Sequence, residues 1–172
     1  IHCATWGWPV TSGMEQMDYF ISAEPLELKG AKSHYKERLV QLPSLPSYYQ
    51  RPQHDRSSSS PPELPPGKIR YLCTQNLRKV HPDFDYLLAG ILRQSPGATA
   101  IFIEDRLALL GQQLRKRWQQ AMPDVASRIH FVPQQSQQGY LALVAAADVI
   151  LDTPHYCGGA NTTYDALALG KI

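Results

Sequence analysis

The stretch LDTPHYCGGANTTYDALALG, residues 151–170, leaves an apolar run through two glycines and sets Asn161, Thr162 and Thr163 before a helical pattern. Gly158 and Gly159 permit backbone angles and close approach that a side chain forbids. Asn161 or Thr162 suits an N-cap. A helix starting there presents unpaired N–H groups and a partial positive charge, and the Thr162 and Thr163 hydroxyls add donors. Together these groups predict an anion site. The segment QNLRKVHP, residues 75–82, carries Lys79, whose ammonium suits a phosphate. A diphosphate fits between such a lysine and such a helix start. Asp165, three or four residues into the expected helix, points near the same place and could accept from ribose hydroxyls. In PQQSQQGY, residues 133–140, the loop that begins at Pro133 would flank a base and Tyr140 could stack on it. The spacing predicts a nucleotide diphosphate and leaves base and sugar open.

Each of these residues also has a plainer reading. Two glycines before Asn161, Thr162 and Thr163 describe an ordinary strand-to-helix turn with a good cap, and the run is neither G-x-G-x-x-G nor a P-loop. A single loop lysine is usually solvated. An aspartate in a first helical turn is what dipole compensation predicts, and a tyrosine such as Tyr140 is more often a core anchor than a base stacker. His81, before Pro82, reads as a turn or cap residue. The remaining histidines, His2, His34, His54, His130 and His155, have no spacing that suggests a metal.

The elements that must position these groups are regular after Gly67. KIRYLCT reads as a strand, Pro82 to Arg93 as a helix with Phe84, Leu87, Leu88, Ile91 and Leu92 on one side, ATAIFIE as a second strand and Arg106 to Met122 as a longer helix. RIHFV, Gln138 to Ala147, DVILDT and Thr162 to Leu169 repeat the alternation. Strand and helix alternating four times predict an α/β fold, a mostly parallel sheet covered on both faces. In the common doubly wound order the first of these strands lies between the second and the fourth. Ligands then bind outside the carboxyl ends at that reversal, where QNLRKVHP would face PHYCGGANTT. Upstream, Ile1 to Trp6 and Met17 to Ser22 are strand-like, and Ala31 to Leu39 is a short helical candidate. PSLPSYYQRPQHDRSSSSPPELPPG is too poor in apolar residues to form a core element, and it predicts a boundary, with residues 1–66 in a first portion and 67–172 in a second.

Composition bounds the rest. The chain has 172 residues, 43% of them hydrophobic and 19% charged, enough to bury a core. Its 17 basic residues nearly balance 15 acidic ones, which gives no general case for nucleic acid. The basic cluster Arg115, Lys116 and Arg117, on a helix whose apolar face is Leu107, Leu110, Leu114 and Trp118, reads as a solvated face. Cys3, Cys73 and Cys157 form no C-x-x-C pair, so a reducing cytoplasmic setting is expected. No apolar run reaches the ~20 residues of a membrane span, and no membrane partner is expected. The chain starts inside a strand-like run and stops after a helix, which predicts a piece of something longer.

At these residues the chain resembles the catalytic region of the O-linked N-acetylglucosamine transferase and SPINDLY-like glycosyltransferases, in bacterial forms often fused to tetratricopeptide repeats. The resembling segments are TWGWPVTSGMEQMDYFISA, SHYKERLVQLP, YLCTQNLRKVHPDFDYLLAGILRQ and ADVILDTPHYCGGANTTYDALALGK. They cover nearly the whole chain outside the serine-proline linker. The resemblance implies a GT-B architecture of two Rossmann-like lobes, with the end of the first lobe up to about residue 66 and the start of the second from 67. It implies a nucleotide-sugar donor, UDP-N-acetylglucosamine or, in SPINDLY-type members, GDP-fucose, a protein hydroxyl as acceptor and no metal or other cofactor. The family lysine that binds the diphosphate and stabilises the leaving nucleotide matches Lys79. A nearby glutamine falls on Gln75 or Asn76, the helix-start threonines on Thr162 and Thr163, and the ribose-binding aspartate on Asp165. The histidines usually discussed as acid or base lie upstream of Ile1. Animal members carry a histidine where Asn161 stands, and a lysine and a histidine where Gln137 and Tyr140 stand. Bacterial relatives often carry Trp-Gly-His-Pro where this chain has Trp8 in the third position. These departures leave open a rival from another class, a non-catalytic nucleotide-binding or scaffold module.

Overall fold

The structure, a computed structural model, describes residues 1–8, 10–53, 63–156 and 158–171. The chain divides into two compact units, Ile1–Gln50 and Arg51–Ile172. Of the proline-rich stretch expected as a linker, residues 54–62, which include the serine run, lie outside the described residues. Beyond them, Leu64 already packs on the core of the second unit.

The first unit is a parallel three-stranded sheet in the order β1 (Cys3–Thr5), β2 (Tyr19–Ala23), β3 (Arg38–Leu42). Phe20 of β2 is buried, opposite Leu39 of β3, and its ring lies 4.6 Å from that of Tyr35. The expected helix from Ala31 to Leu39 is not formed. A single 3-10 turn, Ala31–His34, follows Gly30 in the left-handed region at φ 87°, and by Tyr35 the backbone is extended. The Arg38 N–H then donates to the Asp18 carbonyl at 3.0 Å, and the alternating RLVQL segment joins β2. Pairing along five residues outweighs a helix of barely two turns.

Glu37, just before β3, is buried. Its carboxylate accepts from the Thr11 hydroxyl at 2.6 Å and from the Ser12 N–H at 2.7 Å and hydroxyl at 2.5 Å. Burial alone would raise its pKa. The hydrogen bonds from Ser12 and Thr11 outweigh that and bring it down to about 2.

The second unit is a parallel sheet in the order β6 (Ile129–Val132), β5 (Thr99–Ile103), β4 (Arg70–Cys73), β7 (Val149–Leu151). Among the described residues the α-helices α1 (Pro82–Gln94), α2 (Ala108–Ala121), α3 (Pro123–Ala126), α4 (Gln137–Ala146) and α5 (Gly159–Ala168) accompany it. Alternating residues of the central strands feed opposite faces. Cys73 and Phe102 face a cluster with Phe84, Leu88 and Leu92 of α1 and Leu114 and Trp118 of α2. Leu72 and Ile101 face the other side, with Val132 and with Leu143 and Val144 of α4. Both faces are apolar because both are covered, and each fully buried side chain of this kind contributes ~1.5–3 kcal/mol.

Two expectations for α2 change. The helix begins at Ala108, leaving Leu107 exposed, and buried Gly111 takes a place on the inner face beside Leu114 and Trp118. The basic cluster is not simply solvated. Arg115 pairs with Glu104 at 3.1 Å and lies 4.0 Å over the Phe131 ring. Arg117 donates to the Val80 carbonyl at 3.0 Å and to Asp85 at 2.8 Å, and Asp85 also accepts from the Trp118 indole at 2.6 Å. Adjacency to the inward-facing Trp118 carries Arg117 to the helix flank, where it fastens the loop after β4.

Candidate functional site

β4 lies between β5 and β7, so the chain reverses direction between β4 and β7, and the loops leaving their carboxyl ends are neighbours. The first of these loops is built around a 3-10 turn, Leu77–Lys79. Leu77 and Val80 are buried plugs, and Asn76 caps the turn by accepting from the Arg78 N–H at 3.0 Å. Lys79 closes the turn and is half-buried. His81 then caps α1, its Nδ1 accepting from the Asp83 N–H at 3.2 Å, as the cap reading anticipated.

The second loop is braced from beneath. Asp152 at the end of β7 accepts from the N–H groups of Thr153 at 2.8 Å and Gly158 at 2.9 Å, and the Thr153 hydroxyl donates to the Tyr156 carbonyl at 2.7 Å. This bracing turns the chain early. α5 begins at Gly159 and not at Thr162, so Asn161 and Thr162 lie in its first turn and neither is the N-cap; Gly158 precedes the helix with no side-chain cap bond. The N–H groups of that first turn still have no acceptor within the helix. Asn161 and Thr163 are exposed and Thr162 is half-buried. The two glycines serve different needs. Gly159 takes a left-handed φ of 65° in open space. Gly158 has an ordinary φ of −64°, but a methyl group on it would collide with the Gln75 amide.

That collision places the two loops against each other. Gln75 is only 4% exposed, and its amide nitrogen is buried without a hydrogen-bond partner beside Gly158.

The third loop, after β6, lines a cavity of about 320 Å3 with Ile103, Gln134, Gln135, Ser136, Gln137 and Tyr140. Ligand pockets start at roughly this size. Pro133 is exposed and is not a lining residue; its carbonyl accepts from the Gln135 amide at 2.5 Å. Ser136 caps α4, accepting from the Gly139 N–H at 3.2 Å. Tyr140 packs as its core reading expected. It is half-buried against the Leu72, Ile101 and Val132 cluster, and it also borders the cavity. Its phenol is held above its ordinary pKa by burial first and by the nearby Asp165 carboxylate second, while the Thr74 and Thr162 hydroxyls pull the other way. Asp165 therefore stands about two turns into α5, beside Tyr140 and Thr162.

One grouping was not visible in the spacing of the histidines. His81, from the loop after β4, and His155, from the loop after β7, converge on Asp83. His155 Nε2 lies 2.7 Å from Asp83 Oδ2, and His81 Nδ1 lies 3.5 Å from the same oxygen. The hydrogen bond with His155, more than the charge of His81, holds the Asp83 carboxyl below its ordinary pKa. The two imidazoles meet edge-to-face with centroids 4.9 Å apart. Two parallel strands far apart in sequence create this group, so no local motif announces it. The two free cysteines among the described residues differ: Cys3 is exposed, while burial pushes the Cys73 thiol up to about 12.

No protein-family model matches the sequence. The probable UDP-N-acetylglucosamine–peptide N-acetylglucosaminyltransferase SEC of Arabidopsis thaliana is 27% identical over 172 residues, 95% of this chain and 17% of that protein. A point mutant of Thermobaculum terrenum O-GlcNAc transferase superposes with a TM-score of 0.75 and 25% identity, over 99% of this chain and 32% of that one. The chain is similar to O-GlcNAc transferases. The likeness runs through both parallel sheets, and the fold class is α/β of GT-B type. The GtfA/B complex shares the fold at a TM-score of 0.52 and 18% identity, over 90% of this chain and 29% of that one. This chain spans about a sixth of the length of its plant relative and a third of the solved O-GlcNAc transferase chain. Among the described residues no helix is long and apolar enough to cross a membrane.

Proposed function

We propose that this chain is part of a glycosyltransferase that moves N-acetylglucosamine from UDP-N-acetylglucosamine to serine or threonine hydroxyls of proteins, and that its second unit holds the donor. The observation that carries the reading is the buried Gln75 amide packed on Gly158, which joins the loop bearing Lys79 to the start of α5 at the carboxyl ends of β4 and β7. In this reading Lys79, Gln75, Asn76, Gly158, Gly159, Asn161, Thr162 and Thr163 surround the diphosphate. Asp165 meets the ribose, and Tyr140 with the loop from Pro133 receives the base. Similarity to O-GlcNAc transferases of a plant and of Thermobaculum terrenum supports both the donor and the protein acceptor. A cytoplasmic, bacterial-type enzyme whose longer chain carries tetratricopeptide repeats suits the same reading, and the transfer needs no metal or other cofactor.

When the acceptor oxygen bonds to the sugar's anomeric carbon, the bond to the diphosphate breaks, its electron pair leaves with the nucleotide, and the acceptor's hydroxyl proton passes to the departing diphosphate or to solvent. Negative charge therefore grows on the diphosphate as the reaction proceeds. An ammonium at Lys79 and the N–H groups opening α5 stabilise that charge more in the transition state than in the ground state. Lys79→Ala in the full-length protein should lower transfer by roughly 10²–10³-fold, by analogy with the loss of one oxyanion donor. Calorimetric titration with UDP, GDP and their sugars chooses the donor. Tighter binding of GDP-fucose than of UDP-N-acetylglucosamine would make the fucosyl nucleotide the donor instead. No response to any of them, with partner binding retained in Lys79→Ala, would leave a scaffold and end the enzyme reading.

A further inference from the structure

We propose that His81, Asp83 and His155 form a binding site for a divalent transition-metal ion of the zinc class, one that ties the loop after β4 to the loop after β7. The three residues each offer one ligand atom, and those atoms all lie within 4.8 Å of one another. Two imidazoles and one carboxylate are a donor set suited to zinc, nickel or cobalt and poorly suited to calcium or magnesium, which take oxygen ligands. Tetrahedral zinc, with bonds of about 2.0–2.2 Å, sets its ligand atoms roughly 3.3–3.5 Å apart. The separation of 3.5 Å between His81 Nδ1 and Asp83 already matches, and an ion there takes the lone pair that now accepts from the Asp83 N–H, replacing that cap bond. The His155–Asp83 separation of 2.7 Å is a hydrogen bond, which an entering ion replaces as the imidazole moves back by less than one ångström. All three side chains are partly open to solvent, at 41% for His81, 63% for Asp83 and 52% for His155, so an ion can enter and water can complete its shell.

The setting supports a built cluster over a chance meeting of surface side chains. His81 is placed at the start of α1 between buried Val80 and Phe84. His155 is the one non-glycine residue with positive φ among the described residues, at 68°, and that backbone directs its ring at Asp83. His81 and Asp83 stand at the start of α1 and His155 in the loop after β7, and paired strands bring the two together, so a bound ion closes a bridge across 72 residues of chain. The proposal is separate from the nucleotide reading: an ion could bind whether or not a sugar nucleotide does, and the two assays fail independently.

The test is a calorimetric titration of zinc chloride into the full chain, carried in a Cys3→Ser, Cys157→Ser background so that thiols cannot supply a site. One equivalent should bind to the parent protein, with at least tenfold weaker binding in His155→Ala and in Asp83→Asn. His130→Ala, on β6, should bind as the parent does. Cobalt(II) in place of zinc should give visible d–d absorption bands that both cluster variants lose. Should either variant fail to fold, protection of His81 and His155 from diethyl pyrocarbonate by zinc in the parent protein reads the same contact. Equal zinc affinity in parent and His155→Ala proteins, or equal modification with and without zinc, would overturn the site.

Discussion

The ring of Tyr140 packs on the apolar cluster of Leu72, Ile101 and Val132, while its hydroxyl faces Thr74, Thr162 and Asp165. Removing the hydroxyl and removing the ring should therefore have separable effects. Tyr140→Phe leaves the packing and takes away one partly buried hydroxyl, so stability should fall by about 1 kcal/mol. Nucleotide affinity in a titration should stay within a few-fold. Tyr140→Ala removes the cavity wall, and affinity should fall tenfold or more, about 1.4 kcal/mol. A Phe variant that loses as much affinity as the Ala variant would assign the contact to the hydroxyl. At this scale the placement of Lys79, Tyr140 and Asp165 after the carboxyl ends of β4, β6 and β7 was legible, because each stands at a short offset from an apolar run. The convergence of His81, Asp83 and His155 was not, because a contact across 72 residues leaves no trace in spacing.

At the scale of elements, the turn into α5 shows how glycines with one sequence signature divide their roles. Gly159→Ala places a side chain at φ 65° and should cost roughly 1–2 kcal/mol in chemical denaturation, with a smaller loss of nucleotide affinity than a change at Gly158. Gly158→Ala has no backbone conflict, but it must displace the buried Gln75 amide, and it meets the Thr162 Cβ at 3.1 Å. Its loss should appear chiefly as weaker diphosphate binding in the same titration, and equal affinity losses in the two variants would refute the division. The pair of glycines announced a tight turn. It could not say where the helix begins, because Asp152 sets that point by taking the Gly158 N–H from six residues away. Likewise the charge run on α2 read as solvated because sequence does not show that Arg117 can reach the Val80 carbonyl.

For the molecule as a whole, acid sensitivity should concentrate in the first unit. Glu37 titrates near 2 when folded against about 4.5 when free. A depressed carboxylate contributes stability above its unfolded pKa and loses it as pH falls toward the folded value, so the loss should run from about pH 5 down to 2. Circular dichroism against pH should show this transition in the parent protein. In Glu37→Gln the pH dependence should flatten and stability at neutral pH should drop; an unchanged acid transition would refute the assignment. Alternating strands and helices made the second unit legible, since their periodicities differ over long runs. The segment from Ala31 to Leu39 was not, because pairing with β2 decides it and no local pattern encodes that partner. The sheet order has a further consequence, for synthesis. The Arg70 N–H donates to Asp148, 78 residues later, so β4 emerges with one edge unpaired. At about 5–20 residues per second a ribosome takes on the order of ten seconds to supply β7. Through that interval an apolar strand stands open to wrong partners, and nascent chains stalled before Val149 should be the ones that chaperones hold.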